Sequence, residues 1–120
     1  MRETVKCFED LLVWKKAHQL VLAIYKITKQ FPKEEKFCLI SQIRRAAVSV
    51  PANIAEGFRR RTKPDKQHFL TIAHGSLEEV RYYLILSEDL GYCKSGECIE
   101  KANEASKLLR LFYQKIASSG

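Results

Sequence analysis

Glu56 has the strongest claim to chemistry among the ionisable residues of this 120-residue chain. It lies three positions after Asn53 and four before Arg60, a spacing that brings the three onto one side of a helix. A carboxylate held there is either a positioned acid or base, or half of a structural ion pair. The catalytic reading needs a nucleophile or acid partner in a cleft, and no spacing supplies one. His18 and His68 fall on polar faces or near a helix start, and His74 adjoins Gly75. No Glu precedes a His by three positions, so the paired Glu-x-x-His ligands of di-iron bundles are missing. A P-loop and a GxGxxG run are also absent. Cys7, Cys38, Cys93 and Cys98 lack the paired spacing of a zinc site and read as reduced thiols. The expectation is a protein that is not an enzyme and carries neither cofactor nor metal.

Charge offers a second kind of chemistry. The formal charge is +7, and residues 32–64 hold eight basic against three acidic side chains, whereas residues 65–91 hold two against five. Arg59, Arg60, Arg61, Lys63 and Lys66 form a dense cluster, with Arg45 further back on the same predicted helix. These six are the candidate contacts to a phosphate backbone. The same cations would also suit a helix C-terminus, where they complement the macrodipole. Trp14, Tyr25, Tyr82, Tyr83, Tyr92 and Tyr113 become stacking platforms only where arginine and aromatic side chains share one exposed groove; otherwise they are core or rim residues.

Four helices are predicted to position these residues, at about 8–30, 33–61, 64–90 and 95–117, in one domain spanning 1–120. In the first, Val13, Ala17, Leu20, Ile24, Ile27 and Phe31 alternate steps of four and three, and Phe31-Pro32 ends it. The second is unusual. Ile40, Ile43, Ala47, Val50 and Ile54 make an apolar face, while Gln42, Ala46, Ser49, Asn53, Glu56 and Arg60 make a separate stripe. Val48, Pro51, Ala55 and Phe58 fill a third flank. Few of these residues merely seek water, so the helix is expected to be contacted from several sides. Gln42, Ser49, Asn53 and Glu56 are accordingly assigned to an oligomer interface. Pro51 should kink the helix or loosen a turn, with Ser49 placed to serve a freed carbonyl.

Thr62-Lys63-Pro64-Asp65 is a start signal for the third helix, which presents Phe69, Ala73, Ser76, Val80, Tyr83 and Leu90 and stops at Gly91. Gly75 and Ser76 would let a neighbour approach closely. The fourth helix presents Ile99, Ala102, Leu109, Phe112 and Ile116. Nothing alternates with period two. Amphipathic helices with short links fold most economically as an all-α, antiparallel up-down-up-down four-helix bundle. The opening MRETVKCFED lacks an apolar signal core, and no run approaches the ~20 apolar residues needed to span a bilayer. A cytoplasmic location without membrane contact is expected.

Three motifs carry a family resemblance. Phe8–Ala17 resembles an opening FxDLxVWxxA; Ser41–Gly57 reads SQIRRAAVSVPANIAEG; and Phe69–Ser76 with Glu78 and Glu79 resembles FLxIAxGSxxE, followed by Leu90-Gly91-Tyr92. Together these are similar to the four-helix proteins encoded within intervening sequences of bacterial large-subunit ribosomal RNA genes, over nearly the whole chain. The resemblance implies a homo-pentameric bundle and a basic protein that binds nucleic acid, with no established catalysis or cofactor. Cys38, Cys93 and Cys98 depart from the usual residues. The expected function is therefore a non-enzymatic oligomer that binds structured RNA or DNA, ribosomal RNA included, mainly through backbone and shape. The alternative is a protein-interaction scaffold whose basic patch receives an acidic protein partner.

Overall fold

The computed structural model describes residues 5–119; the first four residues of the stretch read for a signal, and Gly120, lie outside them. Regular structure among the described residues is entirely helical: α1 (Leu12–Thr28), α2 (Leu39–Arg59), α3 (Lys63–Asp89) and α4 (Gly96–Ser118), with 3-10 turns at Phe8–Asp10 and Lys33–Glu35. α1 packs on α2 and α4, and α3 packs on the same two helices, whereas the backbones of the diagonal pairs stay further apart among the described residues.

The heptad-like seam of α1 explains its place. Val13, Ala17, Leu20 and Ile24 are all buried, as is Phe31 just beyond the helix. Val13, Leu20, Ile24 and Phe31 each contribute about 1.5–3 kcal/mol by leaving water, and Ala17 less. From α2 come Ile43, Ala47, Val50 and Ile54; from α4, Cys98, Ala102, Ala105 and Leu109. The stripe predicted on α3 is displaced. Ala73, Ser76 and Val80 are buried, but the core of this helix runs through Leu70, Leu77 and Leu84, and Leu90 is exposed.

Several predicted boundaries move, each for a local reason. Extended backbone at Leu11 separates the turn Phe8–Asp10 from α1, and Phe8 folds back edge-on to Trp14 at 5.2 Å. α2 starts at Leu39 instead of Lys33, because Cys38 leaves helical geometry at φ −119° and ψ −102°. Glu35 then accepts the Leu39 N–H at 3.3 Å and the Tyr92 hydroxyl at 2.7 Å, satisfying one free donor at the helix start. The other end of α2 stops at Arg59, since Arg60 is extended.

α2 runs unbroken through Pro51. The Ser49 hydroxyl accepts from Asn53 Nδ2 at 2.9 Å and from Ser76 Oγ at 2.8 Å, tying α2 to α3. Ser76 thus acts as a small contact residue as predicted. Gly75 does not, for it faces open space. The close approach falls instead at Gly57, where an added Cβ would lie 3.2 Å from the Lys66 carbonyl oxygen and 3.3 Å from Phe69 Cβ. Gly91, at φ +79°, closes α3 in the left-handed conformation. There the Tyr92 N–H reaches the Ser87 carbonyl and the Gly91 N–H the Glu88 carbonyl, both at 2.9 Å, so the last carbonyls of the helix are paired.

Candidate nucleic-acid interface

The basic cluster surrounds the three-residue connection between α2 and α3, Arg60 to Thr62. The connection is held from both sides. Thr62 accepts the Asp65 N–H at 3.3 Å, with Pro64 in the first turn of α3. Lys66 reaches back to the end of α2, donating to the Phe58 carbonyl at 2.7 Å and the Gly57 carbonyl at 3.4 Å. These are the carbonyls a helix leaves without internal partners, and an ammonium there also meets the negative end of the macrodipole.

The predicted contacts therefore divide by role. Lys66 is occupied as a helix cap. Arg60 lies against Glu56 Oε2 at 3.1 Å and over the Phe69 ring at 4.7 Å. Lys63 donates to the Ala117 carbonyl near the end of α4, at 3.5 Å. Arg59 is exposed although its guanidinium donates to Glu56 Oε2 at 3.0 Å. Arg61 is exposed and has no ion-pair partner among the described residues. Arg45 is equally free but stands apart, 14 residues before Arg59, or about 21 Å along α2.

Glu56 is ion-paired with both Arg59 and Arg60. The Arg59 hydrogen bond, with the charge of Arg60 beside it, holds its carboxyl below the usual carboxylate range. A base so stabilised as its anion is a weak proton acceptor. The expected Asn53–Glu56–Arg60 set splits in two: Glu56 goes to the arginines, whereas Asn53 donates to the Ser49 carbonyl at 2.8 Å and to its hydroxyl. Gln42 is exposed, and Ser49, Asn53 and Glu56 are half-buried within one chain.

The aromatic residues also divide. Trp14 is stacked with His18 at 5.1 Å, Tyr25 lies under Arg44 at 4.5 Å, and Tyr92 is tied to Glu35. Tyr83 packs against the core, and Tyr82 is exposed. Tyr113 lines a groove with Arg110, a residue that sequence reading passed over because α4 carries no basic cluster. All four cysteines are free thiols, and burial pushes Cys93 and Cys98 away from the reactive thiolate. Among the described residues no cluster of His, Cys, Asp and Glu is placed to hold a metal, and no helix is long and apolar enough to cross a membrane.

An all-helical domain of four helices with a short, arginine-bearing connection between α2 and α3 is the class these features define. The chain belongs to the 23S rRNA-intervening sequence protein family, whose model matches residues 9–114. It is also similar to a crystal structure from Bacteroides thetaiotaomicron, a protein with unknown function from the S23 ribosomal protein family. The two share 23% identity over 86% of this chain and 96% of that one, with a TM-score of 0.77, a likeness of fold. No curated protein matches the chain.

Proposed function

We propose that this chain is a non-enzymatic, cytoplasmic nucleic-acid-binding protein that engages structured RNA or DNA through the phosphate backbone. Its helices alternate up and down, as the cyclic packing and the short α2–α3 connection favour. The observation that carries the binding reading is the presentation of Arg59, the last residue of α2, and Arg61 at a connection braced by Lys66 and Thr62. Braced cations meet phosphates without ordering a loop at the moment of binding. Membership of the intervening-sequence family makes ribosomal RNA the first nucleic acid to try.

The double variant Arg59→Ala/Arg61→Ala spares the anchored Arg60 and Lys66. Binding of fluorescently labelled structured RNA should weaken roughly tenfold at about 150 mM salt, and the salt slope should fall by ~0.7–0.9 for every phosphate no longer neutralised. Unchanged affinity and slope would refute the assignment. Binding that vanishes at that salt even in the unaltered protein would favour a scaffold for an acidic protein partner.

Assembly is the second part of the proposal. The outer side of the α2–α3 pair, with exposed Gln42, Ala52 and Ile72 beside half-buried Ser49, Asn53 and Glu56, is the face through which copies join, as a pentamer. Such a ring multiplies the charge of +7 to about +35 and makes phosphate contact multivalent. Ala52→Arg should reduce the native mass toward the 13.9 kDa of one chain while far-ultraviolet circular dichroism stays constant. A mass unaffected by the arginine would place the contact elsewhere.

A further inference from the structure

The connection from α1 to α2 lies at the other end of α2 from Arg59 and Arg61, and it gathers cations and bare rings. Tyr25 is 40% exposed and Phe37 86%, the barest large apolar side chain among the described residues. A phenylalanine so placed contributes nothing to the core of one chain. Each ring has its own cation. Arg44 Cζ stands 4.5 Å from the centroid of Tyr25, and Lys36 Nζ 5.3 Å from that of Phe37. Lys29 follows Tyr25 by four positions, on the same side of α1. The Lys36 N–H closes a 3-10 turn on the Lys33 carbonyl at 3.1 Å. Residues three apart in such a turn eclipse, so Lys33 stands beside Lys36.

Arg44 is held in place. Its Nε donates to the Thr28 hydroxyl at 2.9 Å and its Nη2 to the Tyr25 carbonyl at 3.3 Å. Thr28 is buried and fixed in turn, donating to the Ile24 carbonyl at 2.7 Å. One edge of the guanidinium is thereby spent on α1, whereas Nη1 has no partner among the described residues and is not buried. Acids compete little here. α1 contains none, and Glu35 is taken by the Tyr92 hydroxyl and the Leu39 N–H, which leaves Glu34. Lys29, Lys33, Lys36 and Arg44 have no ion-pair partner among the described residues.

We propose that this face binds single-stranded nucleic acid, with Phe37 and the Tyr25–Arg44 stack taking unpaired bases and Arg44 and the lysines taking the phosphates between them. Rings select for unpaired bases, because a duplex hides the faces of its bases. The cations add affinity without reading sequence. A guanidinium already fixed by Thr28 meets a phosphate at little ordering cost. The paired rings and cations ask a partner for flat rings as well as negative charge. Nucleotides carry both, whereas an acidic protein segment carries only the charge. The inference rests on the nucleic-acid reading of this protein but not on Arg59 and Arg61, since Arg44 precedes Arg59 by roughly 22 Å along α2.

The test compares a fluorescently labelled oligouridylate of about 12 nucleotides with a blunt RNA duplex, each bound to the full chain at about 150 mM salt. Phe37→Ala should weaken the oligouridylate roughly tenfold and leave the duplex unchanged. Arg44→Lys should weaken the oligomer too although the charge is kept, because an ammonium cannot hold Thr28, Tyr25 and a phosphate in one plane. Phe37 lies outside the core, so its truncation spares the fold, and circular dichroism checks Arg44→Lys. An oligomer carrying 5-iodouridine should photo-crosslink to the peptide that contains Phe37. Undiminished oligouridylate binding in Phe37→Ala, an equal loss of the duplex, or no binding of the oligomer to the parent overturns the inference. So does displacement of the oligomer by polyglutamate at equal charge, which assigns an acidic protein, or a fall in native mass in Phe37→Ala, which assigns a second copy. Duplex binding lost in Arg59→Ala/Arg61→Ala, with the oligomer indifferent to Phe37→Ala, removes this site alone and leaves the α2–α3 connection standing.

Discussion

Leu77→Ala is expected to destabilise the fold by about 3–5 kcal/mol, read as a drop in the urea midpoint with an unchanged denaturant slope. Leu77 is fully buried at mid-length of α3, the helix that packs on both α2 and α4. Deleting a buried isobutyl group removes its transfer free energy and leaves a cavity that the surrounding side chains can fill only by moving inward. Here they are poorly able to do so. Val50 and Ile54 of α2 and Ala105 and Leu109 of α4 belong to the same closed core and are themselves without solvent-facing slack. Against a typical domain stability of about 5–15 kcal/mol, the loss is a large fraction. Ile85→Ala, two turns further along α3 and 49% exposed, is the control and should cost under about 1 kcal/mol. Equal losses in the two variants would mean that the core is not centred on Leu77.

Gly57→Val should have the second largest effect, about 2–3 kcal/mol by the same measurement. The conflict is with backbone. A β-carbon at Gly57 meets the Lys66 carbonyl at 3.2 Å, with Phe69 Cβ at 3.3 Å and Leu70 Cδ2 at 3.4 Å. Alanine gains about 1 kcal/mol of helix propensity and demands a shift of only a few tenths of an ångström, so Gly57→Ala should be close to neutral. Valine adds two γ-methyl groups and pries the end of α2 from the start of α3. That motion breaks the Lys66 bonds to Phe58 and Gly57 and moves the connection that carries Arg59 and Arg61. RNA binding should therefore weaken although every arginine is retained. A valine variant as stable as the parent would show that the two helices separate freely at this end.

How much could be read beforehand follows from what each residue touches. The α1 seam was legible because that helix buries a narrow stripe, so period and burial coincide at Val13, Ala17, Leu20 and Ile24. α3 buries a wider arc against two neighbours, and the predicted stripe caught its α2-facing edge while missing Leu70, Leu77 and Leu84. The Thr62 cap and the Gly91 stop were legible because both are local. So was the pairing of Glu56 with Arg60, four residues apart. Which of the clustered cations would cap α2 was not legible, since the partners of Lys66 at Gly57 and Phe58 become its neighbours only when the chain turns at Arg60. Arg110 and His74 meet only through the packing of α3 on α4.

The cyclic packing has a consequence for the order in which the molecule assembles and comes apart. The α2–α3 pair joins residues close in sequence, across a link of three residues. The α1–α4 pair joins the two extremities, where Lys16 meets Glu104 at 2.9 Å, a separation of 88 positions. Loop-closure entropy rises with separation, so the α1–α4 contact repays its cost only after the intervening helices are in place. Partial opening is therefore expected to begin between α1 and α4, with amides there exchanging before those of the arginine-bearing turn.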